Sequence, residues 1–318
     1  MKNKTIYSKK KPKRKATYSK GRSLGNWVYM FVLFAAVAFA GYSLYRWVCI
    51  EPAQVSHRKV SVKKVIAGNS TERESVKSRE SIEHKSTGQA DRETTLGTEN
   101  RVAIVIDDMG YDLLVLDEIL QMDAPITVSI LPHLSHSVLV AERANKAGRE
   151  VILHLPMEPH AYPGKNPGSG ALFLQMDRDE IVAQLEEDIR SIPHISGVNN
   201  HMGSKFMEDE QKVEIVLDQL KKEGLFFLDS LTTKNSKGIQ VARKMGLRHV
   251  GRDIFLDNNC NFEETLDILN HIAEKQDSWK TIVIIGHPHK STIQAIKKAL
   301  PIFRNRKIRI VPLSDLIQ

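Results

Sequence analysis

Residues 101–318 are predicted to form an α/β domain, an irregular (β/α) barrel of about seven βα units, and three observations predict it. Short apolar runs at 102–106, 126–130, 151–155, 226–228 and 281–285 have the length and β-branched content of buried strands. Between them, stretches at 135–147, 178–192, 208–222 and 262–275 carry apolar residues three and four apart, with Gly148 and Gly224 at helix ends. Strands that alternate with helices imply a parallel sheet covered by those helices. No GxGxxG follows the first apolar run, which sets the segment apart from an open dinucleotide-binding sheet. In a barrel of this kind the chemistry sits at the C-terminal ends of the strands, so the polar residues that follow each apolar run are the candidates.

The rest of the chain divides by composition. Residues 1–25 hold ten Lys or Arg and no Asp or Glu, so the formal net charge of +8 is concentrated there. Residues 101–318 hold 26 basic against 30 acidic side chains and present no basic field to phosphates, which argues against nucleic acid as a partner. The uncharged run inside 26–48 approaches the ~20 residues needed to span a bilayer. Trp27, Tyr29, Tyr42, Tyr45 and Trp47 flank it as an aromatic belt, and the basic residues precede it. The expectation is a single-pass anchor in the cytoplasmic membrane, with a basic cytoplasmic tail at 1–25 and the C-terminal domain outside. Ala38-Phe39-Ala40 has the small-x-small form of a signal-peptidase site, and Cys49 raises a lipid anchor; the apolar run past Ala40 and Arg46 before Cys49 favour an uncleaved helix. Residues 49–100 contain no Phe, Tyr or Trp and read as a flexible, disordered polar linker. With only Cys49 and Cys260, any metal must be held by His and carboxylates.

The first strand ends in Ile106-Asp107-Asp108-Met109-Gly110. Two adjacent carboxylates after an apolar strand exceed what a helix cap requires, and they mark a functional position. The third ends in His154-Leu155-Pro156-Met157-Glu158, whose HxxxE spacing is compatible with one shared ion if Pro156 shapes a turn. Gly197-Val198-Asn199-Asn200-His201 is a polar island in which His201 is a ligand candidate and Asn200 a polar contact, though the same residues could be only a turn. Asp229 ends the 226–228 run, either orienting a histidine or capping a helix. Arg252 and Asp253, with Asp257-Asn258-Asn259, are either surface loop or substrate contacts. His287, in Gly286-His287-Pro288-His289, stands at the last major strand end where a general acid would, with His289 read as solvent-exposed.

Taken together, IDDMG, LHLPMEP, GVNNHMGS, FFLDS, RDIFLDN and IGHP, in this order between residues 102 and 316, resemble the divergent polysaccharide deacetylases, the YibQ-like branch of the carbohydrate deacetylase superfamily. The resemblance implies a distorted (β/α) barrel in which Asp107 is the catalytic base and Asp108 a metal ligand, with His154 as the first of two histidine ligands. Glu158 stands where those enzymes carry the second histidine of an HxxxH motif, which leaves His201 to supply the missing imidazole. It further implies a divalent metal such as Zn²⁺ and removal of acyl groups from an envelope glycan or peptidoglycan-like substrate. A catalytically silent glycan-binding or envelope-assembly protein that keeps the fold is the second reading.

Overall fold

The computed structural model describes residues 99–317. The basic tail, the apolar span and all but the last two residues of the linker lie outside the described residues. Among the described residues no helix is long and apolar enough to cross a membrane.

Strand β1 (Arg101–Met109) is followed by α1 (Leu113–Leu120), β2 (Thr127–Ile130), α2 (Ser137–Lys146), β3 (Val151–Met157), α3 (Arg178–Ser191) and β4 (Ile195–Met202). Helix α4 (Glu210–Lys222), β5 (Phe226–Asp229), α5 (Gly238–Met245), β6 (His249–Gly251) and β7 (Ile254–Phe255) come next, and α6 (Phe262–Glu274), β8 (Thr281–Gly286), α7 (Lys290–Asn305) and β9 (Arg309–Ile310) complete the order. The sheet is parallel throughout and runs β6-β5-β4-β3-β2-β1-β8-β7, with β9 beside β1. Its terminal strands β6 and β7 are separated in sequence only by Arg252 and Asp253, so the sheet must curl until its ends approach. Those two residues form the seam: Arg252 N donates to Asp229 O at 3.0 Å and Asp253 N to Val283 O at 2.9 Å. The barrel is therefore incomplete, since no strand ladder joins β6 to β7.

Strand periodicity divides the core in two. Val102, Ile104 and Ile106 face the helices with Val128, Leu153, Val198, Phe227 and Ile284. The alternate positions Ala103, Val105, Ile152, Phe226, Leu228, Val283 and Ile285 pack against one another inside the curled sheet. Val311, Leu313 and Leu316 join this interior cluster from the C-terminal segment that follows β9. Because β9 pairs with Arg101 and Val102 at the start of β1, that segment fills the end of the barrel where the strands begin. The opposite end stays open.

Interior packing is tight where β4 meets β5. A Cβ built on Gly197 would lie 2.2–2.6 Å from the ring carbons of Phe226, which is buried and enclosed by neighbouring strands. Gly197→Ala is accordingly expected to cost about 1–3 kcal/mol through overpacking, seen as a lower urea midpoint with an unchanged m-value. An unaltered midpoint would place Phe226 elsewhere.

Helix α3 carries a second local strain of a different kind. Asp188 is fully buried, and its Oδ1 accepts from His133 Nε2 at 2.7 Å and Gln184 Nε2 at 3.1 Å. Burial pushes its carboxyl up to about 7 against the opposing pull of His133 and Gln184. The folded state thus favours the protonated acid: this contribution to stability is complete below the ordinary value of 3.8 and is lost as pH rises through about 7. Asp188→Asn is expected to gain stability relative to wild type between pH 5 and pH 8, measured as the difference in urea midpoints. A gap that shrinks with rising pH contradicts this assignment.

Candidate metal centre

The interior face of each strand, continued past its last apolar residue, supplies the site. Ala103 and Val105 lead to Asp107, Ile152 to His154, Gly197 to Asn199 and His201, Phe255 to Asp257, and Val283 and Ile285 to His287. Asp108 is out of phase and in a regular strand would face the helices. The pairing of β1 with β2 slips between Ile106 and Met109, and Asp108 adopts φ +55°. This bulge, with a left-handed residue that Asp tolerates better than most, turns Asp108 to the same side as Asp107.

Three side chains converge there. Asp108 Oδ1 lies 2.9 Å from His201 Nδ1 and 3.2 Å from His154 Nε2, and the two ring nitrogens are 3.1 Å apart. Ligand atoms at about 2.0–2.1 Å from a tetrahedral ion are separated by roughly 3.3 Å, so this triangle is close to the size of one face of such a coordination shell. The buried Oδ1 of Asp108 receives no well-formed hydrogen bond despite its neighbours. Burial favours the neutral acid, but the facing His154 and His201 outweigh it and hold Asp108 well below the usual carboxylate range. For His154, burial opposes the charged ring, and Asp107, Asp108 and Asn199 together raise its pKa. Asp108, His154 and His201 therefore form a group able to hold a metal ion.

Around the trio lies a buried network. His154 Nδ1 donates to Asn199 Oδ1 at 2.9 Å, which leaves the Nε2 lone pair of the neutral ring turned to Asp108. Ser129 Oγ donates to the same oxygen at 2.7 Å, while Asn199 Nδ2 donates to Asp107 Oδ1 at 2.9 Å and to Ser230 Oγ at 3.1 Å. Asp107 Oδ2 is 3.7 Å from His154 Nε2. Across the cavity His287 Nδ1 meets Asp257 Oδ1 at 3.0 Å, and His287 Nε2 is 3.8 Å from Asp108 Oδ2. Burial disfavours its charged form, but Asp257, Asp108 and Asp107 raise His287 to about 9, so the ring is protonated at neutral pH. The cavity has a volume near 360 Å³ and is lined by Asp108, His201, His287, His289, Tyr111 and Asn166 among others.

Other candidates lie elsewhere. Glu158 is absent from the trio: Lys205 Nζ sits 2.5 Å from its Oε1, and Leu174 N donates to its Oε2 at 2.7 Å. The reason is geometric, because Pro156 stays in β3 rather than turning the chain. Four extended residues place Glu158 roughly 13 Å beyond His154. Asp229 and Asn200 have the opposite strand phase. Asp229 accepts from Ser236 Oγ and Leu231 N, and it orients no histidine; Asn200 Oδ1 accepts from Ser230 N, tying β4 to β5. Arg252 Nε donates to Ser230 O, and Asp253 Oδ2 accepts from Val283 N, so both secure the barrel seam. Of the two alternatives the sequence leaves for Asp257, surface loop or substrate contact, the structure shows neither: the residue is buried behind His287, two positions beyond the half-buried Phe255 on the same strand face, and Asn199, read only as part of a polar island, holds His154 in the same way.

A parallel, curled α/β sheet with an Asp-His-His group at its strand ends defines a deacetylase-type barrel. The chain belongs to the divergent polysaccharide deacetylase family, whose model matches residues 104–317. It is 32% identical over 199 residues to the uncharacterized protein YibQ of Escherichia coli strain K12, covering 62% of this chain and 61% of that protein. An uncharacterized protein of Haemophilus influenzae Rd is 31% identical over 205 residues, 64% of this chain and 71% of its own. The crystal structure of the uncharacterized protein ATU2773 from Agrobacterium tumefaciens C58 superposes with a TM-score of 0.65 at 25% identity, covering 69% of this chain and 89% of that one.

Proposed function

We propose that this protein hydrolyses an N- or O-acyl group, acetyl foremost, on a cell-envelope glycan, using a divalent ion such as Zn²⁺ held by Asp108, His154 and His201. The observation that carries the reading is the triangle of donor atoms 2.9–3.2 Å on a side. Asp108, His154 and His201 would hold the ion, which when bound would supply Lewis acidity toward an acyl carbonyl and a water molecule. Asp107, fixed through Oδ1 by Asn199, takes the proton of the attacking water at Oδ2. His287, fixed by Asp257, gives its proton to the departing amine or alcohol. The apolar segment at 26–48 would hold this domain at the outer side of the cytoplasmic membrane, where envelope glycans lie.

Acetate release tests the proposal. Zn²⁺-loaded full-length protein is given N-acetylated chitooligosaccharides, peptidoglycan and O-acetylated glycan in turn. At least one should yield acetate, and Asp107→Asn should reduce that yield to background. Glycan binding with no acetate from any substrate would instead support a silent binding protein.

A further inference from the structure

At the edge of the cavity lies a second set of donor atoms that the trio does not use: His287 and His289 line it, and Asp257 is buried behind His287. Asp257, His287 and His289 each offer one, and the three lie within 4.8 Å of one another. Asp257 Oδ1 and His287 Nδ1 are 3.0 Å apart. Two atoms at that separation subtend roughly 90° at an ion about 2.1 Å from each, so neither has to move far to share one. Asp257 is fixed through its other oxygen, which accepts from His287 N at 2.7 Å and from Thr292 Oγ1 at 2.7 Å. His289, by contrast, is exposed, and although it is the N-cap residue of α7 its side chain makes no capping hydrogen bond. Its ring is 5.9 Å from that of His287 and can turn toward a shared ion without breaking such a bond.

We infer that a second divalent ion binds at the cavity's edge, at Asp257, His287 and His289, beside the one proposed for Asp108, His154 and His201. Asp108 joins the two groups, with Oδ1 facing the trio and Oδ2 lying 3.8 Å from His287 Nε2. The second ion binds more weakly for two reasons. His289 must be ordered, and the N-terminal end of α7 opposes a cation by a factor of about two to five. The ion replaces the proton on His287 Nδ1, which passes to solvent. If His287 is the general acid, as the proposed function has it, the second ion is inhibitory; its binding does not depend on that reading.

Counting bound zinc tests this. Untagged full-length protein is stripped with chelator and dialysed against Zn²⁺ at a concentration that saturates wild type, and metal per chain is measured by mass spectrometry. Comparison by difference cancels any ions taken by residues 1–98. His289→Ala, which alters an exposed side chain, is expected to hold one ion fewer than wild type, Asp108→Ala one fewer, and the double variant two fewer. A His289→Ala protein that holds as many ions as wild type overturns the second site. If the trio is misread instead, Asp108→Ala holds the wild-type number while His289→Ala still holds one fewer.

Discussion

Asp108→Asn is expected to abolish acetate release, by at least about 10³-fold, while leaving the apo protein folded. Asparagine keeps the shape of the side chain and tolerates the left-handed backbone at φ +55°, so the bulge that presents residue 108 survives. What disappears is the anion between His154 and His201, the sole carboxylate of the trio. A readout independent of turnover follows from linkage. An ion present at 100 times its Kd stabilises the folded state by about 2.7 kcal/mol. For a domain of this size that corresponds to a rise in Tm of roughly 5–10 °C. Wild type should show that rise with zinc at the concentration that fills only the tighter site, and Asp108→Asn should show almost none. Equal zinc-induced shifts in the two proteins would remove Asp108 from the coordination shell.

The sequence makes the strand ends legible because buried parallel strands are nearly continuous apolar runs. The first polar residue after each run therefore stands out, as Asp107 and His287 do; His154 interrupts its run, and His201 stands out only as the imidazole of a polar island. What remains hidden is phase. Asp229 and Asn200 are as polar and as buried as Asp107, but they face away from the cavity, and only the register of β4 on β5 reveals that. Strand β4 itself is concealed for a related reason. Gly197, Asn199 and Asn200 look like a turn, yet the two asparagines are buried in a strand, stabilised by hydrogen bonds to residues 30 and more positions away. Strands β6 and β7, three and two residues long, are too short for any periodicity, so the seam at Arg252 and Asp253 and the role of Asp257 stay unread. The HxxxE pattern misleads because spacing specifies a shared ion only once the backbone between the residues is known.

The largest effect away from the trio is expected at Asn199, whose amide is wholly buried and fully used. Its Oδ1 accepts from Ser129 and His154, and its Nδ2 donates to Asp107 and Ser230. Asn199→Ala leaves several of these groups without partners at a position buried from solvent. At about 1–3 kcal/mol for each unsatisfied group, partly relieved by relaxation, the loss should reach about 3–5 kcal/mol. Asn199→Asp is more informative because it preserves volume. It replaces the donor 2.9 Å from Asp107 Oδ1 with a carboxylate oxygen, and two buried carboxylates at that distance cannot both ionise. They share a proton, so Asp107 ceases to be a free base. The same substitution gives His154 Nδ1 an anionic partner, which strengthens Nε2 as a ligand. Turnover should therefore fall by about 10²–10³-fold, while zinc affinity holds or rises. If turnover and zinc affinity instead fall together, Asn199 only supports the fold, and the division of labour between Asp107 as base and His154 as ligand is wrong.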